Sequence, residues 1–340
     1  MLKLRVTLLV ALATAPAAAA QWAYTNTGAG ELRGLSAASD SVVWASGSRG
    51  SVVRSVDGGR TWRADSVAGA THLDFRSILA ISADIAVIAS AGEAEKGLAH
   101  IRHTGDGGRS WTSLWETADS GVFLDALAAW DSHTWVALSD PTMGSFGLFM
   151  TGDGGTSWLR LPPAGMPPVL TGEAAFAASG SSLVTRGRNE MWIGTGGGGR
   201  ARVMHSADRG ATWSVAETPV HAAGGAAGIF ALAFFDSRHG VAVGGDYLKR
   251  HLAATSVALT TDGGRTWRAA TSPPAAYLSG VAYAGSASRL VAVGLAGTFA
   301  SSDGGNSWMQ VDTIPLNAVR FRGTNGWAAG PRGRVARWTP

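Results

Sequence analysis

The chain has 340 residues, 28 Lys+Arg against 24 Asp+Glu, and no cysteine. The missing thiol excludes disulfides, thiolate metal sites, a cysteine nucleophile and a lipidated N-terminal cysteine. The formal charge of +4 is a near balance written mostly in arginine, with no Lys/Arg cluster, so no nucleic-acid partner is expected.

The first stretch reads as an export signal. Lys3 and Arg5 form a short basic region, residues 6–12 are apolar apart from Thr7, and Ala18-Ala19-Ala20 offers small residues for cleavage. This pattern predicts a signal peptide over 1–20, cleaved after Ala20, with the mature chain opening at Gln21. Without Lys3 and Arg5 the formal charge falls from +4 to +2, and Lys96 and Lys249 are the remaining lysines. No other run approaches about 18 uncharged apolar residues, so no membrane span is expected. Export without disulfides points to a bacterial periplasmic or secreted location.

Eight residues then set the rhythm: Ser55-Val56-Asp57-Gly58-Gly59-Arg60-Thr61-Trp62. The phrase, Ser/Thr-x-Asp-x-Gly-x-Ser/Thr-Trp, returns at 104–111, 151–158, 206–213, 260–267 and 301–308. From Asp57 its aspartates fall at Asp106, Asp153, Asp208, Asp262 and Asp303, in steps of 49, 47, 55, 54 and 41 residues. Periods of that size mean repeated supersecondary units, and propeller blades are the first candidate. Each residue type suits a tight turn. Asp accepts backbone N–H bonds, and Gly takes a positive φ that a side chain resists. The Trp is expected to be the buried payload, removing about 150–250 Å² from water and worth roughly 4–6 kcal/mol as an upper bound. A calcium loop would need further oxygen ligands at fixed offsets, whereas Arg60, Arg109 and Arg265 sit inside the phrase.

Each unit reads as four strands with the phrase turning into the last. Apolar and β-branched runs between Gly, Asp and Ser clusters place the first three strands. They fall at 32–35, 42–45 and 51–54 in unit one, with the fourth starting at 61–63. Units two and three give 75–78, 85–88 and 98–103, then 124–128, 134–138 and 147–150. Units four, five and six give 176–178, 191–193 and 202–205; 229–234, 240–243 and 256–259; and 278–283, 290–293 and 297–300. The tail supplies three more strands, 316–321, 326–329 and 334–338, and lacks a fourth. Residues 21–25 stand unpartnered before unit one, and Gln21-Trp22 matches the Thr-Trp that opens other fourth strands. The expected fold is therefore all-β: one seven-bladed propeller over 21–340, with four-stranded antiparallel blades and the N-terminal strand completing the last. Such closure removes exposed sheet edges.

All six repeated turns should share one face. The long segments gather on the other, at 90–96, 139–144, 194–200 and 244–251 between strands, and at 161–173 and 219–228 between blades. Loop elaboration on a rigid scaffold is where function is usually placed. The second residues of the inner strands, Arg33, Arg76, Asp125, Phe230, Ser279 and Asn317, should ring the channel mouth, with Glu173 just before the fourth. Asp140, Asp246 and Tyr247 lie on the elaborated loops. Arg33, Arg76, Asp125, Asp140, Glu173, Asp246, Tyr247 and Asn317 are thus the candidate binding residues. His100, His205, His221 and His251 lack metal-ligand spacing, so no metal is expected. Gly196 to Gly199 is no phosphate loop, because no Lys-Ser/Thr follows, and no cofactor motif is present.

The repeated phrase resembles the Asp-box, or bacterial neuraminidase repeat, of sialidase-like propellers. The phrases Trp44-Ala45-Ser46-Gly47 and Gly326-Trp327-Ala328-Ala329-Gly330, the latter followed by Arg332-Gly333-Arg334-Val335, are similar to the photosystem II stability and assembly factor family and its non-photosynthetic bacterial relatives. That resemblance implies a non-enzymatic, monomeric ring binding a partner protein through an arginine-bearing surface, a part that Arg33 and Arg76 could play. The sialidase resemblance implies instead a glycoside hydrolase acting on a saccharide-like ligand. The Arg-Ile-Pro phrase of that family is absent here, and no catalytic residue is assigned. Carboxylate-pair hydrolysis stays open through Asp125, Asp140, Glu173 and Asp246; it requires carboxyls about 5–5.5 Å or about 6.5–9.5 Å apart.

Overall fold

The computed structural model describes residues 21–339. The expected signal peptide at 1–20 lies outside the described residues. Seven four-stranded antiparallel sheets stand around a central channel. Their inner strands are Leu32–Ala37, Phe75–Ala80, Leu124–Ala129, Leu183–Arg186, Ala227–Phe234, Gly280–Tyr283 and Ala318–Arg322, and each contacts its neighbours around the ring. Blades 1 to 6 run in chain order from the inside out. Blade 7 takes its outer strand from the other end of the chain, since Trp22–Asn26 pairs antiparallel with Arg334–Trp338. No helix among the described residues is long and apolar enough to cross a membrane.

The repeated phrase forms the turn between third and fourth strands. In blade 1, Asp57 Oδ1 accepts the backbone N–H groups of Arg60 and Thr61, both at 2.9 Å, and Oδ2 accepts the Thr61 hydroxyl at 2.6 Å. Ser55 Oγ donates to Asp57 Oδ1 and accepts from Gly59 N, both at 2.8 Å. Gly59 has φ +85°, and a Cβ there would meet the Trp327 indole at 2.9 Å. The second glycine is therefore needed both for its conformation and for the close approach of the neighbouring blade.

The tryptophans divide the packing differently from the sequence expectation. Those of the phrase are only partly buried, and five of the six donate Nε1 back to a carbonyl of their own turn, as Trp62 does to Gly59 O at 3.1 Å. They lock corners. The fully buried rings belong to second strands: Trp44, Trp135, Trp192 and Trp327. Three of these reach into the next blade, where Trp44 donates to Ser82 O, Trp192 to Gly263 O and Trp327 to Gly58 O. The reason is pleat. A second-strand side chain points squarely at the adjacent sheet, whereas the phrase Trp sits where the turn still faces solvent. Each blade–blade seam is filled by its own apolar cluster, seven in all.

Blade 4 departs from the expected strand. Residues 176–178 are not its inner strand; Leu183–Arg186 is, paired with Glu190–Gly194. Ala174 pairs with Gly196 and Ser182 O accepts Gly194 N, so residues 175–181 leave the sheet between these two anchors. This excursion enters the channel. Arg76 Nη1 reaches Ala177 O at 3.5 Å, Ser179 Oγ donates to Ser279 O at 2.7 Å, and Arg320 Nη1 donates to Ser181 Oγ at 3.1 Å. Blades 2, 6 and 7 thus hold a plug supplied by blade 4.

Candidate functional site: a vestibule above the channel plug

Bulges build the site. In blades 1, 2, 3 and 5 the register slips by one residue between Leu32 and Gly34, Phe75 and Ser77, Leu124 and Ala126, and Ile229 and Ala231. The inserted residues are Arg33, Arg76, Asp125 and Phe230. A bulge re-aims one side chain without moving the sheet, and here it turns each toward the channel mouth. In blade 4 the excursion occupies the same place. The segment expected as a loop at 139–144 is mostly strand, because the hairpin of Trp135–Thr142 and Ser145–Thr151 continues past a second slip between Ser139 and Pro141. The residue inserted there is Asp140.

The result is a vestibule of about 470 Å³ on the face opposite the repeated turns. Arg33, Arg76, Asp125, Asp140, Tyr247 and Asn317 all line it. Glu173 and Asp246 do not. The Glu173 side chain is fully buried, paired with Arg202 and hydrogen-bonded by Thr195 Oγ1 at 2.6 Å and Leu170 N at 2.8 Å. Asp246 turns back on its own loop, accepting from Leu248 N at 3.0 Å and lying 3.4 Å from Lys249 Nζ. Ser279 is also turned away, its hydroxyl donating to Asn317 O at 2.8 Å.

The floor is aromatic. Phe176 of the plug stacks on Phe230 with centroids 4.0 Å apart, and Tyr277 meets Phe230 edge-on at 4.8 Å. The rim is charged but partly self-satisfied. Arg33 pairs with Glu31 at 2.8 Å and Arg76 with Asp74 at 2.7 Å. Asn317 Nδ2 donates to Glu31 Oε1 at 3.1 Å and Leu32 O at 2.9 Å, tying blade 7 to blade 1. Asp125 is the exception: its carboxyl is buried and neither oxygen has a hydrogen-bond partner. Burial, followed by the Asp140 charge and partly offset by Arg76, pushes it well above the usual carboxylate range. Burial also raises Asp140 to about 6, against the one N–H bond it accepts from Ala175 at 2.9 Å.

No protein-family model and no curated protein matches the sequence. Solved structures do. YCF48 bound to a D1 peptide aligns with a TM-score of 0.69 at 16% identity, covering 97% of this chain and 100% of that one. This chain shares its seven-bladed propeller fold with YCF48. YCF48 from Cyanidioschyzon merolae gives 0.65 at 18% identity over 94% of this chain and 99% of that one. The WD40 propeller domain of Doa1 gives 0.57 at 13%, over 93% and 97%. The feature this chain shares with these structures is the ring.

The raised carboxyls make a pH prediction. Folded, Asp125 and Asp140 keep protons that an unfolded aspartate releases near about 3.9. Stability from this source is present below about pH 4 and is lost as pH rises, through about 6 for Asp140 and through the raised Asp125 value. The turn aspartates run the opposite way. Hydrogen bonds from the following Ser or Thr hold Asp153, Asp208, Asp262 and Asp303 down to about 2, so their contribution is present above about pH 4 and lost as pH falls toward 2. Calorimetric melting temperatures should therefore decline between pH 5 and 8. Asp125→Asn should flatten that decline and raise the value at pH 8. An unchanged slope in the variant would remove Asp125 as its source.

The excursion is the part of the site that is harder to place from sequence. Leu183-Val184-Thr185-Arg186, β-branched at its centre and followed by Gly187, is the signal that identifies the true inner strand and frees 176–178 for the plug.

Proposed function

We propose that this chain is an exported, non-enzymatic Asp-box propeller that binds a segment of a partner protein in the vestibule opposite the repeated turns. One observation carries the reading: two arginines, each paired with a single carboxylate, flank an aromatic floor in a cavity of about 470 Å³. Guanidinium donors left over from Glu31 and Asp74 suit the carbonyls and carboxylates of a peptide, and Phe176, Phe230 and Tyr277 suit an apolar side chain. YCF48, of the same fold, has been captured with a D1 peptide, which supports a peptide-binding use of such a ring.

The test is binding of a peptide library to the intact ring, with Arg33→Ala/Arg76→Ala as the variant. Each lost charge-assisted bond is worth about 1.5–3 kcal/mol, so the best peptides should weaken at least about tenfold while the melting temperature holds. Peptides that bind the double variant equally well, or that protect the repeated-turn face from hydrogen exchange, would overturn the proposal.

A second reading has its own observation. Two carboxyls that line the same vestibule, Asp125 and Asp140, are both held above the ordinary range by burial, and a raised carboxyl can serve as a general acid on a saccharide. Hydrolysis of a glycoside abolished by both Asp125→Asn and Asp140→Asn would favour it over the binding reading.

A further inference from the structure

The plug leaves a second chamber on its other side. This chamber, about 350 Å³, lies toward the repeated turns and is walled by the far ends of the inner strands. Its wall mixes apolar side chains, among them Leu35, Leu79, Phe234 and Phe321, with the hydroxyls of Ser36, Ser77 and Thr185 and of the plug serines. The one ionisable cation on it is Arg320, and no Asp or Glu lines it.

Arg320 is unusual among the arginines of the channel. Arg33 and Arg76 each have a carboxylate, whereas Arg320 has no acidic partner among the described residues. Its Nη1 donates to Ser181 Oγ at 3.1 Å and Val319 O at 3.0 Å, both neutral acceptors. Burial lowers its guanidinium only to about 10, so it stays charged at neutral pH. A guanidinium carries five N–H donors in a planar fork. Nη1 is used on protein groups, and Nε and Nη2 have no protein acceptor recorded among the described residues. The hydroxyls of Ser179 and Ser181 stand beside it on the plug. A partly buried guanidinium with no counter-charge and unused donors is a ready partner for an anion.

We propose that this chamber is a binding site for a small monoanionic carboxylate with an apolar body. The carboxylate would take the Arg320 fork side-on, in the bidentate geometry that guanidinium groups favour, and its hydrocarbon part would lie along Leu35, Leu79 and Phe321. One cation and no other charge on the wall match a single negative charge. A dianion would bring a second negative charge with no second cation on the wall to meet it. The chamber is within the range of small-molecule sites, about 300–1,000 Å³. It lies across the plug from the vestibule and shares neither Arg33 nor Arg76 with it, so it stands or falls independently of the peptide reading.

The probe is hexanoate, with hexan-1-ol and hexylammonium as controls for the apolar body and the charge. Calorimetric titration of the intact chain should show saturable hexanoate binding with one site per ring and none for either control. Arg320→Met should weaken hexanoate at least about tenfold, Arg320→Lys should retain part of the binding, and Arg33→Ala should leave it unchanged. If Arg320→Met does not fold, the wild-type comparison decides: hexanoate should raise the melting temperature where equal hexan-1-ol does not. Equal binding of acid and alcohol, undiminished binding to Arg320→Met, or no binding of hexanoate to the wild type would each overturn the site.

Discussion

Trp22→Ala is expected to destabilise the whole ring by about 3–5 kcal/mol, the usual cost of emptying a fully buried aromatic site. Trp22 is 3% exposed, yet it lies on the outer strand of a blade, a position where side chains are ordinarily half solvated. Its indole N–H donates to Thr298 Oγ1 of blade 6 at 3.0 Å, and its ring meets Trp338 edge-on at 4.7 Å. Two residues along the same strand, Tyr24 donates to Asp312 Oδ2 at 2.8 Å, again in blade 6. The first strand therefore closes the seventh sheet and also seals the seam before it. Deleting residues 21–26 should cost more than the point substitution, since it also bares the backbone edge of Arg334–Trp338 and invites association. Denaturant melts of the two variants, with light scattering for the deletion, check this. A deletion that melts like the intact chain would mean that the ring is closed by something other than this strand.

Glu173→Ala should be comparably damaging, by about 3–5 kcal/mol, although nothing suggests that it touches a ligand. The Arg202 guanidinium donates to Glu173 Oε1 from Nε at 2.8 Å and to Oε2 from Nη2, and both side chains are buried. Removing the carboxylate leaves Arg202 charged, buried and without its partner, the costly half of breaking such a pair. It also frees Thr195 Oγ1 and Leu170 N, which hold the segment leading into the plug. The double variant Glu173→Leu/Arg202→Met, apolar on both sides, should recover most of the loss. A thermodynamic cycle over the three variants measures this; a double variant no better than Glu173→Ala would place the damage in the segment 170–173 and not in the orphaned charge.

The ring itself was legible because its signals are local and repeated. The Asp57 and Asp303 phrases state a turn within eight residues, and the unmatched strands at 21–25 and 334–338 call for one another. The mouth residues Arg33, Arg76, Asp125 and Asn317 could be aligned for the same reason, by counting from each inner strand. Two things resisted. Glu173 looked like a mouth carboxylate because sequence position says nothing of a partner 29 residues away in Arg202. Residues 176–178 looked like an inner strand because an apolar run of the right spacing is ambiguous between a strand and a segment buried for another purpose.

By itself the sequence determined the class, the blade count, the shared face of the turns and the way the two ends meet. These follow from hydrogen bonds and periodicities that are satisfied within one hairpin. Only the tertiary structure decided that blade 4 gives up its bulge to a plug, that the channel becomes two chambers, that Asp125 and Asp140 are buried side by side at the mouth, and that Arg320 has no acidic partner among the described residues. Those outcomes depend on which side chains of seven separate blades converge on one axis, and burial without a counter-charge is a property of that convergence, not of any stretch of chain.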